Sequence, residues 1–260
     1  MLSGVNGKMA LVCASTKGLG FGTARALAQL GATVWVNGRH SQGVDEAILR
    51  LQNDLPQADL RAAPGDVTTV EGRQAILNVC GAVDILVNNA GGPPPGFFED
   101  WDEQDWLQAV EQNMIAPIML TKALTPAMSA KGWGRVVNIT SGSVKSPIPH
   151  LGLSNGARAG LTGAMAGISR QLAPKGITIN NVLPGQHETD RLRANYTNIA
   201  TRTGVSFDQA WATGKNNHPT GCFGDASDFG AVVAFLCSDQ AKFIVGQNIM
   251  VDGGAANITL

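Results

Sequence analysis

The sequence predicts one doubly wound α/β domain: a sheet of about seven parallel strands with helices on both faces. Two observations carry this. Short apolar runs alternate with longer helical stretches from end to end, the pattern of successive βαβ units. Several of the runs are apolar without polar alternation, as strands are when helices cover both sides of the sheet. The 260 residues are 44% hydrophobic, enough for one filled core. No linker, repeat or low-complexity tract divides them, so residues 1–260 are expected to form a single domain.

The elements follow in order. A strand over 9–13 runs into the turn Ala14-Ser-Thr16-Lys17-Gly18-Leu19-Gly20 and a helix over 19–30. Glycines there let the backbone approach a pyrophosphate, and the helix start offers free N–H groups and positive potential. A second strand, 33–36, ends in Trp35-Val-Asn37-Gly38-Arg39, and a helix over 44–52 follows. A third strand, 60–63, leads to Asp66-Val67 and a helix over 68–79. The fourth, 85–87, ends in Asn88-Asn89-Ala90-Gly91 and a stiff apolar loop through Pro93, Pro94, Pro95, Phe97 and Phe98. One long helix is expected over 103–130, then a strand over 135–139 ending in Thr140-Ser141. A helix over 155–172 precedes the sixth strand, 178–182, which ends in Pro184-Gly185-Gln-His187-Glu-Thr189. Residues 186–220 are long, polar and poor in strand pattern, the kind of insertion that carries substrate specificity. A helix over 225–237 and a strand over 247–251 close the chain.

Composition narrows the function classes. Net charge is −1 and only 15% of residues are charged, so no electrostatic footprint points to nucleic acid or an anionic membrane. No apolar run approaches the length of a membrane-spanning helix, and the N-terminus lacks a signal-peptide core. Cys13, Cys80, Cys222 and Cys237 have no metal-ligand spacing, which points to free thiols in a reducing cytoplasm.

The ordered set of the glycine turn, Asp66-Val67, Asn88-Asn89-Ala90-Gly91, Ser141, Pro184-Gly185 and Asp252-Gly253-Gly254 resembles the short-chain dehydrogenase/reductase family over nearly the whole chain. The resemblance implies a Rossmann-type fold binding a nicotinamide cofactor through Thr16, Lys17 and Leu19 of the turn. Asp66 and Val67 would meet the adenine, Asn89, Ala90 and Gly91 the ribose, and Pro184 and Thr189 the nicotinamide. Ala14 departs from the family, which has glycine there. The second strand ends without an acid to hold ribose hydroxyls. Arg39, with Lys17 opposite, would instead suit a 2′-phosphate, so NADP(H) is the expected cofactor.

The resemblance also exposes a substitution. Thirteen residues after Ser141 the family carries Tyr-x-x-x-Lys, and this chain has Ser154-Asn-Gly-Ala-Arg158. By resemblance, Ser141 binds the substrate oxygen and Asn113 belongs to the proton relay. An aliphatic hydroxyl at Ser154 is a far weaker acid than a phenol, whose reference pKa is about 10. Arg158 stays protonated with a fixed fork of donors: it could hold the cofactor's ribose, as the family's lysine does, and stabilise a developing oxyanion, but it cannot cycle as a proton donor. Losing a positioned general acid costs about 10² to 10⁴ in rate. His187 is the candidate replacement donor, with ordered water as the alternative. His150 could line the substrate entrance, and Tyr196, the sole tyrosine, could wall the lid. Ser143 and Lys145 stand ready for substrate contact.

Arg191, Arg193, Arg202 and Lys215 give the 186–220 lid a local positive charge, readable as an anionic substrate group or as solvated helix faces. Gly156, Gly160, Gly163 and Gly167 cost the 155–172 helix about 1 kcal/mol each relative to alanine. Close backbone packing is expected to compensate, against a second subunit (a dimer or tetramer) or within one subunit. A reductase of a carbonyl or imine substrate, or the corresponding dehydrogenase, with an altered proton route is the leading reading. A silent cofactor-binding subunit and a non-redox lyase or isomerase are the alternatives.

Overall fold

The structure, a computed structural model, describes residues 2–259. Strands β1 (Met9–Val12), β2 (Thr33–Gly38), β3 (Leu60–Pro64), β4 (Ile85–Asn88), β5 (Gly134–Ile139), β6 (Ile177–Pro184) and β7 (Asn248–Val251) form one sheet. All neighbours are parallel, in the order β3-β2-β1-β4-β5-β6-β7. Each expected strand is present. The order reverses between β1 and β4, so the crevice at their carboxyl ends is the topological switch point where such sheets bind ligands.

Alternate residues of one strand feed opposite cores. Ala10 and Val12 of β1 join the apolar layer under α1 (Gly18–Gln29), α2 (Ser41–Asp54) and α9 (Ala226–Leu236). Leu11 and Cys13 join the layer under α3 (Val70–Cys80), α5 (Ala116–Lys131) and α6 (Gly152–Leu172). That arrangement explains why these strands are apolar throughout.

Four asparagines cross the sheet near the site. Asn88, Asn138, Asn181 and Asn248 are register partners on β4, β5, β6 and β7. Their side-chain amides donate along the row at 2.8, 2.9 and 2.8 Å. Asn138 is fully buried, so this ladder satisfies polar groups that would otherwise be costly inside the sheet.

One expectation is revised. The helix over 103–130 is broken: α4 (Glu103–Val110) and α5 are joined by a π turn at Glu111–Ile115. Pro117 has no N–H to give the Asn113 carbonyl, and Ala116 N–H bonds Glu111 O five residues back. The segment read as the lid, 186–220, carries two helices. It folds as α7 (Asp190–Thr203) and α8 (Phe207–Asn216) around Leu192, Tyr196, Ala200, Trp211 and Phe223.

Candidate active site

The β1–α1 turn is shaped as a cradle. Gly18 takes φ +58°, and Ala14 takes φ +46°, the sole non-glycine positive φ among the described residues. Left-handed backbone costs an L-residue about 1–2 kcal/mol. Neighbours hold it: Ala14 N–H donates to Asn37 Oδ1 at 2.9 Å, and Asn89 Nδ2 donates to Ala14 O at 3.2 Å. Any side chain on Gly20 would run into Ala14 O. The first turn of α1 has neither a side-chain cap nor an acidic residue. By contrast α3, α4, α7, α8 and α9 are capped by Thr69, Asp102, Thr189, Ser206 and Asp225. The unspent N–H groups and the glycine floor fit an anionic diphosphate.

The rim of this cradle is a mixed set. Thr16 packs its methyl against Gly38, and Leu19 leans on the core under α1. Asn37 is buried and faces inward, donating to Ala63 O and Gly65 O at 2.8 and 3.1 Å, so it ties β2, β3 and the turn together. Arg39 is exposed beside α2, whose first turn is also uncapped and free of acids. Lys17 does not join it: its Nζ lies 3.9 Å from Asp190 Oδ2 on α7, a solvent-exposed pair. Asp66 Oδ1 accepts from Thr68 N–H and Oγ, leaving its other oxygen for a ligand. Val67 is buried, and its carbonyl takes a bond from Arg73. Thr189 caps α7 and places its methyl 3.5 Å from where a side chain on Gly18 would begin.

Ser141 ends the run from β5 and shares a 2.8 Å hydrogen bond with Ser143. Ser154 is buried in the first turn of α6 and makes no side-chain hydrogen bond to another described residue. One turn on, Arg158 is buried and donates to Ile139 O at 2.9 Å and Ala90 O at 3.4 Å. Burial, with repulsion from Arg191 added, pushes its pKa down to about 10, so it remains cationic at neutral pH. A small cavity of about 10 Å3 lies beside it, lined in part by Asn88, Asn113, Ile139 and Arg158. Asn113 Oδ1 and Asn88 Oδ1 are buried there without a donor. The size and lining suit one water.

The other candidates sit elsewhere. His187 is buried, with its ring edge-on to Phe229 at 5.3 Å and Nδ1 3.3 Å from Gly185 O. Burial lowers its pKa, so the ring is neutral at pH 7. Its contacts are with α9 and Gly224, not with Ser141 or Arg158. Tyr196 is core rather than cleft wall: it packs on Trp211 and Phe223 and bonds Gln186 at 3.4 Å. His150 is exposed, its carbonyl accepting from Gly96 N–H. In the lid, Glu188 pairs with both Arg193 at 3.6 Å and Lys215 at 2.6 Å. Arg191 alone crosses the cleft, donating to Gly92 O and Pro93 O at 3.3 Å each. A cleft of about 110 Å3 opens between that loop, α4 and Leu153.

Known proteins share this fold over nearly the whole chain. The family described as Enoyl-(Acyl carrier protein) reductase matches residues 13–256. Pig dehydrogenase/reductase SDR family member 4 is 32% identical, over 96% of this chain and 88% of its own. The 3-oxoacyl-[acyl-carrier-protein] reductase FabG of Vibrio harveyi is also 32% identical, over 96% and 98%. Among solved structures, L-sorbose reductase from Gluconobacter frateurii, complexed with NADPH and L-sorbose, superposes with TM-score 0.93 at 25% identity, covering 100% of both chains. The chain belongs to the short-chain dehydrogenase/reductase family.

Proposed function

We propose that this protein is an NADP(H)-dependent oxidoreductase of the short-chain type, acting on a carbonyl/alcohol or imine/amine substrate. The observation that carries it is the pair of uncapped helix starts on the crest of the sheet. One, at α1, is lined by Gly18 and Gly20, and the other, at α2, is flanked by exposed Arg39. The first suits the diphosphate and the second a 2′-phosphate. NADPH in the complex of the sorbose reductase supports the same reading. When bound, the cofactor supplies or takes the hydride.

This chain's own residues do the rest. Ser141, steadied by Ser143, donates a hydrogen bond to the substrate oxygen. Arg158 holds positive charge where an alkoxide develops, the electrostatic form of transition-state stabilisation. It does not release its proton. The proton comes through water held by Arg158 and Asn113, since Ser154 is too weak an acid and His187 faces α9. Asn89, Ala90 and Gly91 line the ribose side, and Thr189 and Pro184 the nicotinamide side.

A homo-oligomer is part of the proposal, in modified form. Gly156 and Gly160 are spent within the chain, against Trp106 and Met114, whereas Gly163 and Gly167 face open space. Only the latter two offer close approach to a second subunit, and sedimentation of Gly163→Leu against the parent protein tests them.

The function is tested by following nicotinamide absorbance with NADPH and NADH against ketones, 3-oxoacyl thioesters and cyclic imines. Arg39→Met should lose preference for NADPH by at least about ten-fold, the loss of one charge-assisted contact. Tight NADPH binding without turnover, or product without absorbance change, would mean a silent subunit or a non-redox enzyme.

A further inference from the structure

Four charged side chains are buried among the described residues: Arg73, Asp84, Arg135 and Arg158. Three have an opposite charge beside them. Arg73 meets Glu111 at 3.4 Å, Asp84 meets Lys131 at 2.7 Å and Arg135 meets Asp239 at 3.6 Å. Arg158 has only the carbonyls of Ile139 and Ala90. A buried cation without a counter-charge is costly, and proteins keep one where a ligand completes the pair.

A second guanidinium, from α7, reaches the same stretch of chain. Arg191, in the first turn of α7, bonds Gly92 O and Pro93 O, two and three residues beyond Arg158's contact at Ala90. It also lacks a carboxylate partner. Its position at a helix start opposes the helix dipole, where cations are unfavourable. The lid cations Arg193 and Lys215, by contrast, share the Glu188 carboxylate.

We propose that Arg158 and Arg191 together form an anion subsite that takes a carboxylate of the substrate beside the reacting carbonyl. Ile139, which anchors Arg158, is two residues from Ser141. That proximity assigns the substrate class: a short oxo acid or the hydroxy acid it forms, with the carboxylate close in bonds to the reducible carbon. Backbone carbonyls are the resting partners of both guanidinia, and a carboxylate replaces them with bidentate, charge-assisted bonds. The inference rests on the reductase reading for the identity of the reacting group, but its test does not require turnover.

The probe is oxalate, titrated calorimetrically into the NADPH-saturated protein, with neutral oxamide as control. Oxalate should bind and oxamide should not, and Arg191→Gln should weaken oxalate at least ten-fold without changing NADPH affinity. Arg191 is exposed on α7, so this variant does not endanger folding. Arg158→Lys, which keeps the charge but loses the fork, should weaken oxalate by a smaller factor. Equal oxalate affinity in the parent and Arg191→Gln proteins, or no oxalate binding, overturns the proposal. Competition between oxalate and NADPH, with NADPH weakened in Arg158→Lys, overturns it as well, by assigning the charge to a cofactor phosphate.

Discussion

Replacing Arg158 with methionine separates a charge kept for a ligand from one kept for the fold. Burial, with repulsion from Arg191 added, pushes the guanidinium well below its usual value, to about 10. At about 1.36 kcal/mol for each pKa unit, the charged form is disfavoured by roughly 3 kcal/mol in the folded protein. The sign is that of a depressed cation. The penalty is present in full below about pH 10 and is relieved only as pH rises above that, so a neutral-pH assay sees all of it. Against it stand the hydrogen bonds to Ile139 O at 2.9 Å and Ala90 O at 3.4 Å. Bonds from charged donors contribute about 1.5–3 kcal/mol each, and the longer one falls at or below that range. The two sides nearly cancel. Arg158→Met should therefore change the free energy of unfolding by less than about 1.5 kcal/mol in urea at pH 7 without nucleotide. A loss beyond about 3 kcal/mol would refute this reasoning, because Arg158 would then be a structural anchor.

Other outcomes follow from the same geometry. Asn138→Leu interrupts the ladder and leaves Asn181 Oδ1 without its donor, costing about 2–3 kcal/mol and lowering Tm by roughly 5–10 °C by calorimetry; a drop under about 2 °C contradicts it. Ala14→Gly exchanges about 1 kcal/mol of backbone strain for a similar gain in unfolded-chain entropy, so stability should hold within about 1 kcal/mol. Ala14→Val, β-branched at a positive φ, should lose NADPH affinity in fluorescence titration, and unchanged affinity would show that the turn relaxes freely. Burial lowers the pKa of His187 below 6.5, so its contribution to stability is full above pH 6.5 and is lost as pH falls through that value. His187→Phe should flatten the denaturation free energy as pH falls below about 6.5, and an unchanged slope would place the ring in solvent.

The sheet was legible because each strand ends in a polar or glycine-bearing turn and every second element is a helix. Pro117 also carried the signal for the break at Asn113, but an apolar helical period runs straight through it, and periodicity hid the missing N–H. The lid hid its helices for another reason. Leu192, Tyr196 and Ala200 repeat every four residues, yet the aromatic partners that bury them, Trp211 and Phe223, lie on later segments. Pairing of charge is tertiary information throughout. Lys17 and Arg39 look alike in sequence, but only the fold sends one toward Asp190 and leaves the other free. The loneliness of Arg158 and the row of four asparagines depend on contacts across strands distant in the chain, which no local pattern records.

The central claim is that a short-chain reductase works here with its proton drawn from bound water. Single-turnover oxidation of enzyme-bound NADPH by an oxo acid, followed by stopped flow, tests it most directly. Between about pH 7 and 9 no candidate donor changes its charge: His187 is neutral and Arg158 cationic throughout. The account predicts hydride transfer at a rate independent of pH across that range. Absence of NADPH oxidation with every carbonyl substrate, or a rate that falls with pH as a side-chain acid is deprotonated, would contradict it.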